Sequence, residues 1–325
     1  MSETTHNRPS AGIAFVLAGM AAISINDMLI KQLSEGYPLH QIIFTRSAIG
    51  LIFTLVLVQL EGGWAILRTA HPGLHLLRGA LIVVSNMCFF VALAVIPLAD
   101  ATALFFAAPL FITVLSIPIL GEKVGPLRIG AVLVGFAGVL IMQRPWANGE
   151  MLDASRTVLL MPVLGALTYA IMQLMTRKLG ATSKASAMTV YIQMVFILVS
   201  LGFWLVAGDG RFAQDTGSPS LRFLFRAWVW PSSGDWPTLV GLGLNSAVIG
   251  YCLAQAYRLA DAATVAPFEY ALLPMAVFWG WLLWAELPDA AIWIGMALIV
   301  ASGLFVFLRE KQNKRRIARA AIKRR

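Results

Sequence analysis

Charge is what this sequence has least of. Asp, Glu, Lys and Arg make up 13% of its 325 residues, against 59% hydrophobic, where a soluble domain carries about 25% charged residues. Long stretches hold no charge at all, and mean hydropathy is +0.78. A water-soluble globule is excluded. Cysteine is nearly absent as well. Cys88 and Cys252 both fall inside apolar runs with no CxxC or ligand spacing, so they read as small hydrophobes. The histidines are His6, His40, His71 and His75, in the N-terminal tail, near helix ends or in loops. A metal centre within the membrane therefore has almost no candidate ligands, and no cofactor is expected. There is no GxxxxGKS-type phosphate loop, so the chain is not expected to hydrolyse ATP.

What the sequence offers instead is apolar length. A span needs about 20 mainly apolar residues, and a 19-residue window finds ten such segments. They lie near 11–31, 38–60, 74–96, 98–119, 125–143, 157–178, 185–207, 236–256, 263–284 and 290–308. Most connections are short, so consecutive helices are antiparallel neighbours. Residues 1–10 are polar and no small-residue cleavage site follows, so the first apolar run reads as a span and not a removable signal.

The net charge of +9 is concentrated at one end, because nine of the 25 Lys and Arg residues follow residue 308, in "REKQNKRRIARAAIKRR". A basic juxtamembrane tail fits the anionic cytoplasmic leaflet better than nucleic acid. With the N-terminus inside, 18 basic residues fall on the cytoplasmic side and six outside, with Arg46 inside a span. The positive-inside rule then puts both termini in the cytoplasm. Arg78, at the cytoplasmic start of the third span, is explained by topology alone. One connection is long, 208–235. In it "LRFLFRAWVW" sets Leu221, Leu224, Phe225 and Trp228 on one helical face and Arg222 and Arg226 on the other. That pattern predicts an interfacial amphipathic helix, with a substrate lid as the alternative.

The chain also repeats itself. "LADATALFFAAPLFITVLSIPILGE" at 98–122 resembles "LADAATVAPFEYALLPMAVFWGWLLWAE" at 259–286. Leu98, Ala99 and Asp100 match Leu259, Ala260 and Asp261, and Glu122 matches Glu286. Ile129 and Gly130 match Ile294 and Gly295, Gly138 matches Gly303, and "LIKQL" at 29–33 aligns with "MTRKL" at 175–179. Five spans per copy is an odd number, so the second copy enters the membrane from the opposite side. Inverted duplications enclose a site near the bilayer midplane. The expected fold is all-α, with ten transmembrane helices as two inverted five-helix repeats, 11–145 and 157–309, and a basic cytoplasmic tail at 310–325.

The span count, "PLADATALFFAAPLF…LGE" and "ADAATVAPFEYALLP…AE" together resemble the drug/metabolite transporter superfamily, most closely its EamA-like branch. "NDMLIK", "FTRS" and "HLLRG" further resemble bacterial members described as S-adenosylmethionine or riboflavin carriers. The resemblance runs from Ala11 to Arg309, with the long 208–235 connection as the departure from the compact pattern. It implies a central cavity lined by the first, third, fourth, sixth, eighth and ninth spans, with the fifth and tenth as scaffold.

Polar residues concentrate in those spans. Asp27 and Lys31, with Asn26 beside them, are four apart on one face of the first span, so they can pair with each other, or simply snorkel to the outer interface. Their repeat counterparts are Gln173 and Arg177. Arg46, eight residues into the second span, needs an anion or carbonyls, and Asp27 is its expected partner. Glu269 stands out in "APFEYALLP", flanked by Phe268 and Tyr270 and bracketed by Pro267 and Pro274. A carboxylate there can bind a cationic group or carry a coupling proton, or it can pair structurally with Arg46 or Arg258. Asn86, Tyr169, Gln173, Asn245, Tyr251, Gln255 and Tyr257 offer hydrogen bonds and serve equally as packing contacts. Phe105 and Phe106 can stack on a flat substrate or pack the core. Trp279, Trp281 and Trp284 read as interfacial belt residues.

The expected function is a secondary active or facilitative transporter of a small organic metabolite across the bacterial inner membrane, by alternating access. An amino acid derivative, a nucleoside-like or a flavin-like compound is the implied cargo. A polytopic membrane enzyme, such as a lipid-modifying transferase, is the alternative, and it would need a reactive His–Asp or His–Glu cluster at one interface. Expected partners are the metabolite, the bilayer with anionic lipid at the tail, no nucleic acid, and a second copy in a homodimer.

Overall fold

The structure, a computed structural model, describes residues 8–120, 125–144, 155–180, 182–213, 217–260 and 265–322. Among these there is no strand. The helices are α1 (Pro9–Leu33), α2 (Leu39–Glu61), α3 (Pro72–Leu93), α4 (Leu98–Phe105), α5 (Ala108–Leu120) and α6 (Pro126–Gln143). After them come α7 (Arg156–Leu179), α8 (Ala185–Ala207), α9 (Pro219–Phe225), α10 (Trp236–Leu259), α11 (Leu272–Trp284) and α12 (Ala290–Ile322). Short 3-10 turns occupy Gly63–Leu67 and Ala266–Ala271.

Among the described residues, seven stretches are long and apolar enough to cross a membrane: Ser10–Leu33, Leu39–Glu61, Pro72–Leu93, Leu98–Ile119, Arg156–Leu179, Ala185–Ala207 and Trp236–Leu259. In the other three expected spans, the described apolar helical stretches are Ile129–Gln143, Phe268–Trp284 and Ala290–Phe305. The matched residues Glu122 and Asp261 and the tail's side chains lie outside the described residues.

Two of the expected spans are broken. The 98–119 segment divides into α4 and α5 at Phe106–Ala107, because Pro109 has no N–H to return to the Phe105 carbonyl and its ring crowds that turn. The 263–284 segment opens as a 3-10 turn before α11 begins. Phe106 and Tyr270, at the two breaks, pack ring against ring at 5.3 Å.

Helix pairing is dense between α1 and α10, α3 and α7, α2 and α8, α2 and α10, and α6 and α12. The α6–α12 seam brings backbones together: a Cβ on Gly138 would lie 2.8 Å from the Gly295 carbonyl, and one on Gly295 would lie 2.7 Å from that of Gly138. Small residues permit such approach in lipid, where packing takes over from the hydrophobic effect. Hydroxyls buried in the bundle return to their own helix, as Thr54 does to Gly50 O (2.9 Å), Thr102 to Leu98 O (2.7 Å) and Thr189 to Ala185 O (3.0 Å).

The long connection departs from its expected form. Its helix, α9, stops at Phe225, and residues 226–230 run non-helical. The buried side chains are Ser220 and Phe223, while Leu221 is exposed. Hydrogen bonding to the bundle explains the change. Gln41 holds Val229 from both sides, Nε2 to its carbonyl (2.5 Å) and Oε1 from its N–H (3.1 Å). Ser220 donates to Val91 O (2.7 Å), His40 Nδ1 to Leu224 O (2.9 Å), and Trp228 packs against Phe44 at 5.2 Å. Tyr37 donates to Asp235 (2.6 Å) and accepts from Ser232 N (3.1 Å). The segment is thus strapped across the ends of α2 and α3 instead of floating on lipid.

Two outcomes follow from these contacts. Gly138→Val or Gly295→Val should cost about 1–3 kcal/mol through overpacking, seen as a lower melting temperature in detergent. Gly130→Ala, with open space around it, should not lower it. The hydrogen bonds from Tyr37 and then Ser232 hold the Asp235 carboxyl below its ordinary 3.8. A carboxyl depressed in the folded state contributes stability above its unfolded pKa and loses it as pH falls through the folded one. The gap in melting temperature between wild type and Asp235→Asn should therefore be open at pH 7 and close below about pH 4.

Candidate functional site: a polar-edged aromatic cavity

Between the helices lies a cavity partly open to solvent. Its wall comes from α1, α2, α3, α4, α5, α7, α8, α10, the 266–271 turn and α11, while α6 and α12 contribute nothing. The participation of α2 and α8, through Arg46, Ser47, Thr189, Ile192, Gln193 and Phe196, departs from the six-span lining that family resemblance implied. These two helices pack directly on one another, so their shared face meets the cavity.

Nine of the residues singled out from sequence stand in the wall: Asn26, Asp27, Arg46, Asn86, Phe105, Phe106, Tyr169, Gln173 and Glu269. Arg46 donates from Nη1 to Asn26 Oδ1 (2.8 Å), and Asn26 Nδ2 donates to Asp27 Oδ1 (2.9 Å). Asn26 therefore relays between the guanidinium and the carboxylate, in place of the direct Arg46–Asp27 pair expected. The guanidinium also lies over Phe196 at 5.2 Å and Phe90 at 5.8 Å. All three polar groups are buried, where unpaired charge is expensive.

Glu269 accepts hydrogen bonds from the hydroxyls of Tyr257 and Tyr169, the latter at 3.4 Å, and Gln173 Nε2 donates to Tyr169 at 2.6 Å. Tyrosine hydroxyls thus take the place of the arginine partner considered for it. Arg258 instead bonds Gln255 Oε1 (2.9 Å) and Gly180 O (3.3 Å). Phe105 leans on Tyr169 (5.4 Å) and Phe89 (5.3 Å), which makes a continuous aromatic wall.

Five of the singled-out residues lie outside the wall, each held elsewhere. Lys31 bonds Glu286 at 2.6 Å and sits 4.8 Å over the Trp284 ring, so it does not pair with Asp27. It lies one turn nearer the helix end, where the segment after α11 presents the half-buried carboxylate of Glu286. Asn245 donates to Ala22 O (2.6 Å), locking α10 to α1. Tyr251 (3.0 Å) and Gln255 (3.4 Å) bond Glu61, which also takes Ser186 Oγ (2.6 Å) and N (3.2 Å) at the start of α8. Tyr270 is buried against Phe106 and Gly303.

Two wall residues escaped the sequence reading. Arg78 is buried and lines the cavity, donating from Nε to Thr176 (2.6 Å) and from Nη1 to Met188 O (2.9 Å), so it is no mere topology signal. Gln193 was hidden as a single amide in "YIQMVFILVS". The repeat did carry a signal for it: the 146-residue offset that aligns "LIKQL" with "MTRKL", moved by one residue, carries Arg46 onto Gln193. The cavity thus has aromatic walls, two guanidiniums, two carboxylates and several amide and phenol groups, and it suits a flat organic molecule with polar edges.

The relay predicts a coupled stability effect. Asn26→Ala should destabilise the folded protein by about 1–3 kcal/mol, since it leaves a buried guanidinium without its acceptor. Adding Arg46→Met should recover part of that loss, as read by denaturant or thermal unfolding in detergent.

Comparison with known proteins agrees with this architecture. Residues 10–144 match the model of the EamA-like transporter family. The chain is 32% identical over 308 residues to a riboflavin transporter of Rhizobium johnstonii, covering 95% of this chain and 92% of that one. It is 32% identical to a riboflavin transporter of Vibrio cholerae, covering 95% and 97%. With an S-adenosylmethionine uptake transporter of Rickettsia prowazekii it shares 27% identity, covering 93% and 94%. A solved crystal structure superposes with a TM-score of 0.67 at 18% identity, over 93% of this chain and 98% of that one, which speaks for the fold alone. Transporter relatives do not favour the alternative of a lipid-modifying enzyme. With these matches and its apolar helices, the chain is a multi-pass bacterial membrane protein that belongs to the EamA-like transporter family and is a transporter, not an enzyme.

Proposed function

We propose that the protein carries a small, flat, polar-edged metabolite across the inner membrane by alternating access. Two inverted five-span halves, 11–145 and 157–309, would rock about the cavity, with both termini and the basic 310–325 tail in the cytoplasm. The observation that carries this reading is a cavity walled by helices of both halves. The pairing pattern also supports it. Exchanging the halves turns the α1–α10 contact into α7–α3, and leaves α2–α8 and α6–α12 as contacts of equivalent helices. All are among the dense pairings. Asn26, Asp27, Arg46, Asn86, Phe105, Phe106, Tyr169, Gln173 and Glu269 are the substrate-facing set, while Lys31, Asn245, Tyr251, Gln255 and Tyr270 support the helices that present them.

Riboflavin and S-adenosylmethionine, named for the relatives, both join a flat heteroaromatic ring to a polar chain. Phe89, Phe90, Phe105 and Phe196 offer ring faces for such a molecule. Anionic lipid at the tail and a homodimer in the membrane complete the proposed partners.

Counterflow in proteoliposomes tests the reading, with a labelled panel that includes riboflavin and S-adenosylmethionine. One compound should accumulate, and Glu269→Gln should slow it by at least about tenfold, the worth of one charged hydrogen bond. A well-folded protein that moves nothing in the panel would defeat the proposal. Unchanged transport by Glu269→Gln would take Glu269 out of the substrate-facing set.

A further inference from the structure

Two side chains in the cavity wall have polar atoms that the protein leaves unused. Gln193 on α8 is 3% exposed, yet neither Nε2 nor Oε1 has a hydrogen-bond partner among the described residues. The Nε of Arg46 on α2, in a side chain 5% exposed, is likewise unpartnered. Neighbouring groups are already committed. Arg46 Nη1 bonds Asn26, and Ser246 Oγ donates to Gly243 O at 2.9 Å. The two residues belong to one face. Gly50, one turn beyond Arg46, meets α8 and α10 so closely that a Cβ on it would lie 3.0 Å from Gln193 Nε2 and 2.7 Å from Gly243 O. Buried amides are almost always hydrogen-bonded, and both side chains front the cavity.

We propose that Gln193 and Arg46 read the edge of the transported molecule, and that this edge is an imide: carbonyl, N–H and carbonyl side by side on a flat ring. The assignment rests on the carrier reading above and narrows its cargo. A primary amide presents one donor beside one acceptor, so its complement is an N–H beside a carbonyl. The guanidinium Nε can only donate, so it matches the second carbonyl. An ammonium offers donors alone and a carboxylate acceptors alone. Either would leave half of the Gln193 amide unsatisfied. Phe90 and Phe196, already against the Arg46 guanidinium, stand where they would meet the ring's faces.

The test compares ligands that differ by one methyl group. Riboflavin with 3-methylriboflavin, and uridine with 3-methyluridine, each lose the imide N–H on methylation and keep the ring. Binding to purified full-length protein, measured as competition in counterflow, should favour the unmethylated member by about tenfold or more in at least one pair. In Gln193→Leu that preference should shrink to within about twofold. The ratio is taken within each variant, so a smaller folded fraction leaves it unchanged. A preference retained in Gln193→Leu would overturn the assignment, as would a wild-type ratio near one in every pair that binds. If neither riboflavin nor uridine competes while another panel compound is carried, the imide assignment falls and the carrier reading stands. If nothing is carried, both fall.

Discussion

A polar group inside a bilayer has no water to turn to, and the interior of this protein is arranged around that constraint. Single hydroxyls meet it locally by bonding the carbonyl four residues back, at the price of nothing but a rotamer. Charged groups cannot be settled within one helix and must recruit a second. Arg46 reaches α1 through Asn26, Arg78 reaches α7 and α8, and Glu269 draws phenols from α7 and α10. Each such bond fixes the angle at which one helix faces another, so the polar residues set the cavity's shape as much as its chemistry.

The two ends of the bundle are tied differently. At one end, Glu61 closes the last turn of α2 and caps the first turn of α8, where a carboxylate suits the exposed N–H groups and the helix dipole. It also takes Tyr251 and Gln255 from α10, so three helices share one side chain. At the other end, Lys31 and Glu286 join α1 to the segment after α11 in a part-exposed ion pair. The pair has water within reach to take over its charges.

Much of this was legible in the sequence because bilayers impose long, simple patterns. Apolar length marks the helices of the bundle, and the contrast between cavity spans and scaffold spans was implied by the family resemblance, which left out α2 and α8. Partners were harder. Lys31 and Asp27 share a helix face, but the pairing was decided by Glu286, 255 residues away, which no local spacing can announce. Gln193 looked like an isolated amide because its importance lies in what surrounds it. The α9 segment misled for a related reason. Its 3.6-residue pattern is real, but His40 takes the Leu224 carbonyl and Gln41 takes both backbone groups of Val229, and the helix ends at Phe225.

The strap formed by residues 217–235 has a mechanical consequence. The connection between α2 and α3 is shorter, a 3-10 turn whose Leu67 carbonyl accepts from the Tyr191 hydroxyl of α8. Among the described residues, the chain that joins α8 to α10 therefore holds the α2 and α3 ends by more hydrogen bonds than the 63–67 turn takes from α8. A molecule built from two alike halves would exchange its two open forms at equal energy. On the proposed alternating-access reading, the strapped side would resist parting along α2 and α8, and an opening on that face would run past the Lys31–Glu286 contact. On that reading, the proposed duplication would yield a device with a preferred resting side.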